Sequence, residues 1–324
     1  MILRRPSQRP ASRTRGLRAL LVSSAAVCGG CGARAHPSPP TLEAGGTSDG
    51  NGIAYYGGRV MTAPTGVNLY YIWYGDWSGN TGPEILTDLA THIGGSPYFN
   101  VMTTYRDARG VRVKNAVNFL GAVRDSYSQG TAPTTAQIRL IVSGAISNGF
   151  PRDTNAVYFV LTSQDVAPAS FCSACGNWGH FTLVGADIKY AWVGNAARCP
   201  SRCAPAQPST GPNGNPGVDA MAATLVHELI NAITNSDRNG WHDASGNAPA
   251  SICGTPERAF PNAYVTQNGA LATARIGSRS FYLTSNWVNA RGGYCALSYA
   301  PDAAFDGRKG GWQLDPRASR QGRQ

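Results

Sequence analysis

Charge is scarce in this chain, and so are histidine and methionine. Asp, Glu, Lys and Arg together make up 14% of the 324 residues, beside 5 His and 4 Met. Long surface helices laced with ion pairs are therefore not expected. The 18 acidic residues are too few and too scattered to single out a glycosidase carboxylate pair. No apolar run approaches the ~20 residues of a membrane-spanning helix, so no transmembrane segment is expected. A G-x-S-x-G nucleophile elbow and a phosphate-binding Gly-Lys loop are both missing, as is any internal repeat. What the chain does have in quantity is 39 Gly and 21 Pro, the composition of a loop-rich globular protein.

The strongest charge asymmetry lies at the N-terminus. Residues 1–35 hold seven Arg and no acid, followed within the segment by apolar Leu17–Val27 and the small-residue site Ala33-Arg34-Ala35. That order predicts a secretory signal peptide over 1–35. A competing reading anchors the chain by lipid through Cys31, after Gly29-Gly30, or through Cys28, after the bulkier Val27. Residues 36–52 read as a flexible leader, 53–300 as one domain and 301–324 as a tail. Beyond residue 35 the chain carries 21 basic and 18 acidic residues, so the formal charge of +10 shrinks to +3. A near-neutral body has no electrostatic footprint for nucleic acid, and no such partner is expected.

Six cysteines lie beyond the N-terminal segment: Cys172, Cys175, Cys199, Cys203, Cys253 and Cys295. An even number in an exported chain reads as disulfides, with connectivity left open. The Cys172-x-x-Cys175 and Cys199-x-x-x-Cys203 spacings also admit a four-thiolate zinc site, which an oxidising compartment disfavours.

Two stretches, Val67–Tyr74 (VNLYYIWY) and Ala156–Thr162 (AVYFVLT), are dense in β-branched and aromatic residues and read as core strands. Further strands are expected at Tyr98–Tyr105, Val111–Phe119, His180–Val184 and Lys189–Val193. Short ones follow around Tyr264, Ala272–Ile276, Phe281–Thr284 and Tyr294–Ser298. Helical stripes run through Glu84–Ile93 and through Thr134–Ser147, where Thr134 serves as N-cap.

The helix expected over 218–234 (VDAMAATLVHELINAIT) is the one with chemistry to offer. At about 3.6 residues per turn, Val218, Met221, Ala222, Leu225, Val226, Leu229, Ile230 and Ile233 fill more than half its circumference. Thr224, His227, Glu228, Asn231 and Thr234 share the remaining arc. His-Glu with a second ligand four residues after the His is how zinc hydrolases build a site on one helix, the Glu acting as general base. Here that second position is Asn231, whose carboxamide is a weak zinc ligand. His180 and His242 could complete a histidine set with His227, and Asp237, Asn239 and Asp243 form an oxygen-rich alternative. Trp73, Tyr74, Trp77, Trp178, Trp192 and Trp241 could line a carbohydrate groove, or else belong to the core.

Several stretches together resemble the EXORDIUM, or phosphate-induced protein, family. They include Gly57–Thr62, Asn68–Trp77, Ala156–Ser163, Phe171-Cys172 to Cys175-Gly176, and Tyr190–Asn195 leading to Cys199-Pro200 and Cys203. Pro212-Asn213-Gly214 and Gly217-Val218-Asp219 complete the likeness, which spans about 55–298. The resemblance implies a secreted, extracellular protein of the cell envelope or wall. Microbial members resemble zincins around this helix, with His-Glu-x-x-Glu, then Thr-Asp-Pro, and a later Glu and Asp before a cysteine. This chain keeps His227 and Glu228 but carries Asn231, Asn235-Ser236, and Ala248-Pro249-Ala250-Ser251 before Cys253.

The resulting expectation is an α/β or α+β, zincin-like single domain with a central sheet, flanking helices and disulfide-bonded loops. Its site is read as non-catalytic or vestigial, with cell-wall polysaccharide or peptide as partner. The alternatives are a secreted zinc-dependent, peptidase-like hydrolase, with Glu228 as base and His227 plus His180 or His242 as ligands, and a carbohydrate-binding module. No cofactor is assigned; zinc is the one the ligand types would admit.

Overall fold

The computed structural model describes residues 46–205, 210–254, 256–301, 304–306 and 311–313. The expected signal segment, Cys28, Cys31 and most of the expected tail lie outside them.

The centre of the fold is a five-stranded sheet built from β1 (Val67–Tyr74), β2 (Val117–Asp125), β3 (Ala156–Thr162), β4 (Gly176–Leu183) and β5 (Ala186–Val193). Its order is β2-β1-β3-β5-β4. The first four of these run parallel, and β4 lies antiparallel to β5 at the edge. Helix α1 (Gly82–His92) connects β1 toward β2, α2 (Thr135–Ser147) precedes β3, and α3 (Pro216–Thr234) follows the sheet. The architecture is thus mixed α/β with helices on both faces.

The dense apolar runs of β1 and β3 follow from that layering, since a parallel strand covered on both faces has no polar side to alternate with. Leu69, Tyr71 and Trp73 pack with Leu86, Leu89, Met221 and Leu229 of α1 and α3. Tyr70, Ile72 and Tyr74 pack on the other face with Ile138, Ile141 and Val142 of α2. Helix α2 opens with a reciprocal cap: the Thr134 side chain accepts from the Gln137 amide, and the Gln137 side chain accepts from the Thr134 amide. The β4–β5 hairpin turns through Val184-Gly185, both at positive φ (47° and 76°). A two-residue hairpin turn of that kind favours Asn-Gly, and Val184 occupies it with its side chain in solvent.

Two expected strands differ. Tyr98–Tyr105 contains a 3₁₀ helix, Phe99–Thr104. The Ser96 hydroxyl accepts from the Phe99 amide, while Thr103 and Thr104 donate back to the carbonyls of Asn100 and Val101. These local bonds satisfy the backbone without a neighbouring strand, and Phe99, Val101 and Met102 still reach the core. In Val111–Phe119 only the end is strand, because the Asn115 carbonyl and side chain both accept from the Gly95 amide. The β-rich end consists of short ribbons, Tyr264–Val265 with Leu271–Ala272, Ala274–Ile276 with Arg279–Phe281, and Asn286–Val288 with Tyr294–Ala296.

The six cysteines form three disulfides: Cys172–Cys199, Cys175–Cys203 and Cys253–Cys295. The four-thiolate zinc reading is overturned, because those sulfurs are bonded to one another.

Candidate functional site

Helix α3 starts where Asn215 caps it, its side chain accepting from the Val218 amide, and Pro216 occupies the first turn. Asp219 in that turn accepts from the Asn213 amide at 3.0 Å and from the Asn213 side chain at 2.6 Å. The helix then passes directly behind the edge of the sheet. A Cβ at Gly176 would come within 2.8 Å of Thr224 Cγ2 and 3.0 Å of Glu228 Cγ, so only glycine allows the helix to lie this close to β4.

The polar arc of the helix is largely interior: Glu228, Asn231 and Thr234 are all buried. What remains open is a cleft of about 390 Å³ lined by Gly176, Thr224, His227, Glu228, Ala223, Phe260, Thr284, Arg202 and the Cys175–Cys203 bridge. Desolvation pushes the His227 imidazole down to about 4, leaving it neutral at pH 7. The same cause pushes the Glu228 carboxyl up to about 8, against a smaller opposing pull from Arg238. Oε2 of Glu228 is buried without a hydrogen-bond partner among the described residues.

The segment Pro249–Ile252, tied down next door by Cys253–Cys295, closes over the rest of the arc. The Ala250 amide donates to Asn231 Oδ1 at 3.2 Å, and Asn231 Nδ2 donates to Ser251 Oγ at 3.5 Å. His227 Nε2 lies 3.3 Å from the same hydroxyl. Ser251 was visible in the sequence only as a place where an acid was expected; its contact with His227 is a product of the fold.

The other candidate ligands are engaged elsewhere. His180 sits on β4 with Nδ1 2.7 Å from Asp187, which also takes Lys189 Nζ at 3.0 Å and the Arg59 guanidinium. His242 stacks on Tyr56 with ring centroids 3.8 Å apart and places Nδ1 2.9 Å from the Asp243 carbonyl. Asp237 accepts from the Arg59 and Asn239 amides, whereas Asp243 accepts from Ser245 and Asn247. These are loop-shaping contacts in separate turns. Among the described residues no three His, Cys, Asp or Glu side chains converge as a metal-binding group.

Most of the candidate groove tryptophans are core. Trp73, Trp77, Trp192 and Trp241 are buried, and the half-buried Trp178 is covered by Arg238 at 4.1 Å from its ring centroid. They offer no exposed aromatic platform.

Residues 53–289 match the family described as Phosphate-induced protein 1 conserved region. The chain belongs to this family. Among curated relatives of the phosphate-induced protein 1 type, Protein EXORDIUM-like 5 of Arabidopsis thaliana is 34% identical over 217 residues, covering 59% of this chain and 59% of that protein. Protein EXORDIUM-like 3 of the same plant is 30% identical over 217 residues, covering 59% of this chain and 64% of the relative. The chain thus spans about three fifths of the length of these relatives. No solved structure matches it significantly. The phosphate-induced protein 1 match takes in every cleft residue from Cys175 to Thr284.

Proposed function

We propose that this phosphate-induced protein 1 family member is a secreted protein of the cell envelope or wall, built on a zincin-like helix whose metal site is vestigial. The observation that carries the reading is the fate of Asn231. Both of its polar atoms are taken up by residues 250–251, so the position that would supply the second ligand holds the loop to the helix. A carboxamide already accepting a backbone N–H has neither charge nor a basic lone pair to offer zinc. His227 faces a hydroxyl in place of an acidic ligand. Three disulfides and the Arg-rich, acid-free first 35 residues support export. The partner in this reading is a wall polysaccharide or peptide.

A second reading, a secreted zinc-dependent hydrolase acting on peptides, is favoured by one feature. His227 and Glu228 face a common cleft beside β4, an edge strand able to offer backbone groups to an extended chain. Elemental analysis of the purified exported protein separates the two. The vestigial reading expects far less than stoichiometric zinc and no loss of stability on chelation. Near-stoichiometric zinc, released by chelator with loss of a peptidase activity, would establish the hydrolase.

A further inference from the structure

Three carboxyl groups are buried among the described residues, and two of them are saturated. Asp107 accepts from the Thr62 hydroxyl, the Arg109 guanidinium and the Arg109 and Val111 amides. Asp219 accepts from Asn213 twice and from the Asn215 amide. Glu228 is 5% exposed and has neither a hydrogen bond nor an ion pair among the described residues, although it lines the cleft. A buried acceptor left unmet keeps the full cost of its desolvation.

No charged side chain among the described residues is bonded to it. Arg238, whose field reaches Glu228, donates to Asn177 Oδ1 at 2.7 Å and to the Trp178 carbonyl at 3.0 Å, with its plane over the Trp178 ring. His227 turns Nε2 to Ser251. Arg202 lies exposed at the cleft mouth, where water screens its charge. Apart from Thr224 and Thr284, the walls between are small or apolar: Ala220, Ala223, Phe260 and the disulfide.

We infer that this cleft binds a protonated primary amine, seated on the Glu228 carboxylate with its carbon frame against Phe260 and Ala223. The inference rests on the metal-free reading above, because a zinc ion on His227 would compete for the same carboxylate. An ammonium supplies both the missing donor and the counter-charge, and charge-assisted bonds in a desolvated site are the strong ones. A hydroxyl can supply the donor but not the charge.

Matched pairs test this: alaninamide against lactamide for a peptide source, and glucosamine against glucose for an amino-sugar source. Calorimetry at pH 7 reads the affinities. The amine of at least one pair should bind about tenfold or more tighter than its hydroxyl partner. Glu228→Gln, isosteric and neutral, should abolish the preference. Should that variant fail to fold, Phe260→Ala, which removes the proposed seat of the carbon frame, should weaken the same amine by about threefold or more. Failure of both amines to bind at millimolar concentration, equal binding of the hydroxyl partners, or a preference surviving Glu228→Gln would overturn the inference. Zinc content measured on the same sample tells that failure apart from failure of the metal-free reading.

Discussion

Helix α3 carries two buried carboxyl groups, one in its first turn and one further along, and the fold provides for them in opposite ways. Asp219 is enclosed by amide donors from residues 213–215, and it fixes how the chain enters the helix. Glu228 is desolvated to a similar degree, yet its inner oxygen has no donor among the described residues and it lines an open cleft. A carboxyl that serves architecture is paired within the fold; one left unpaired at a cleft is arranged for something that arrives. The comparison separates the two roles without reference to sequence motifs.

The largest expected effect comes from attacking the saturated end. Asp219→Ala strands the Asn213 and Asn215 donors in the interior and should destabilise the protein by about 3 kcal/mol, read by chemical denaturation at pH 7. Glu228→Gln at the same pH should not destabilise; a comparable loss there would break the contrast.

The next effect is in pH. Because burial raises Glu228 to about 8, the native state keeps a proton that the unfolded chain has lost, and stability falls as pH climbs toward that value. His227 acts in the opposite sense: with its folded value near 4 against an ordinary 6.5, it withdraws stability as pH falls through that interval. Between 6.5 and 8 Glu228 acts alone of the two. Stability should decline there by about 1–2 kcal/mol; Glu228→Gln should flatten that decline and, because the two groups offset each other below 6.5, should steepen the acid limb. A decline unchanged in the variant would assign it to another group.

The smallest effect probes the loop over the helix. Ser251 holds His227 and Asn231 through contacts of 3.3 and 3.5 Å, longer than the 2.6 and 3.0 Å bonds from Asn213 to Asp219. Ser251→Ala should therefore cost about 1 kcal/mol or less in the same denaturation assay.

How far these features could be read in the sequence depended on the range of the interactions behind them. Val67–Tyr74 and Ala156–Thr162 were legible because strands covered on both faces are apolar throughout. The α3 periodicity was legible too, and so was the convergence of His227 and Asn231, which lie one helical turn apart. Tyr98–Tyr105 was misread as strand because its β-branched residues pack in the core while Ser96 and the threonines satisfy its backbone locally. The site's completion was not legible. His180 and His242 are drawn off by Asp187 and Tyr56, and Ser251 reaches His227 from another element. Composition marked the cysteines as disulfide material, but the crossed pairing of 172–175 with 199–203 needed the fold. The tryptophans show the same limit, since residue type alone does not separate a platform from a core.

The most direct test is a carbon-13 NMR titration of the Glu228 side-chain carboxyl, run with and without one equivalent of zinc. The account predicts a midpoint near 8 that zinc leaves in place. An ordinary carboxylate midpoint, or a stoichiometric zinc-induced shift of the Glu228 and His227 signals together, would contradict it.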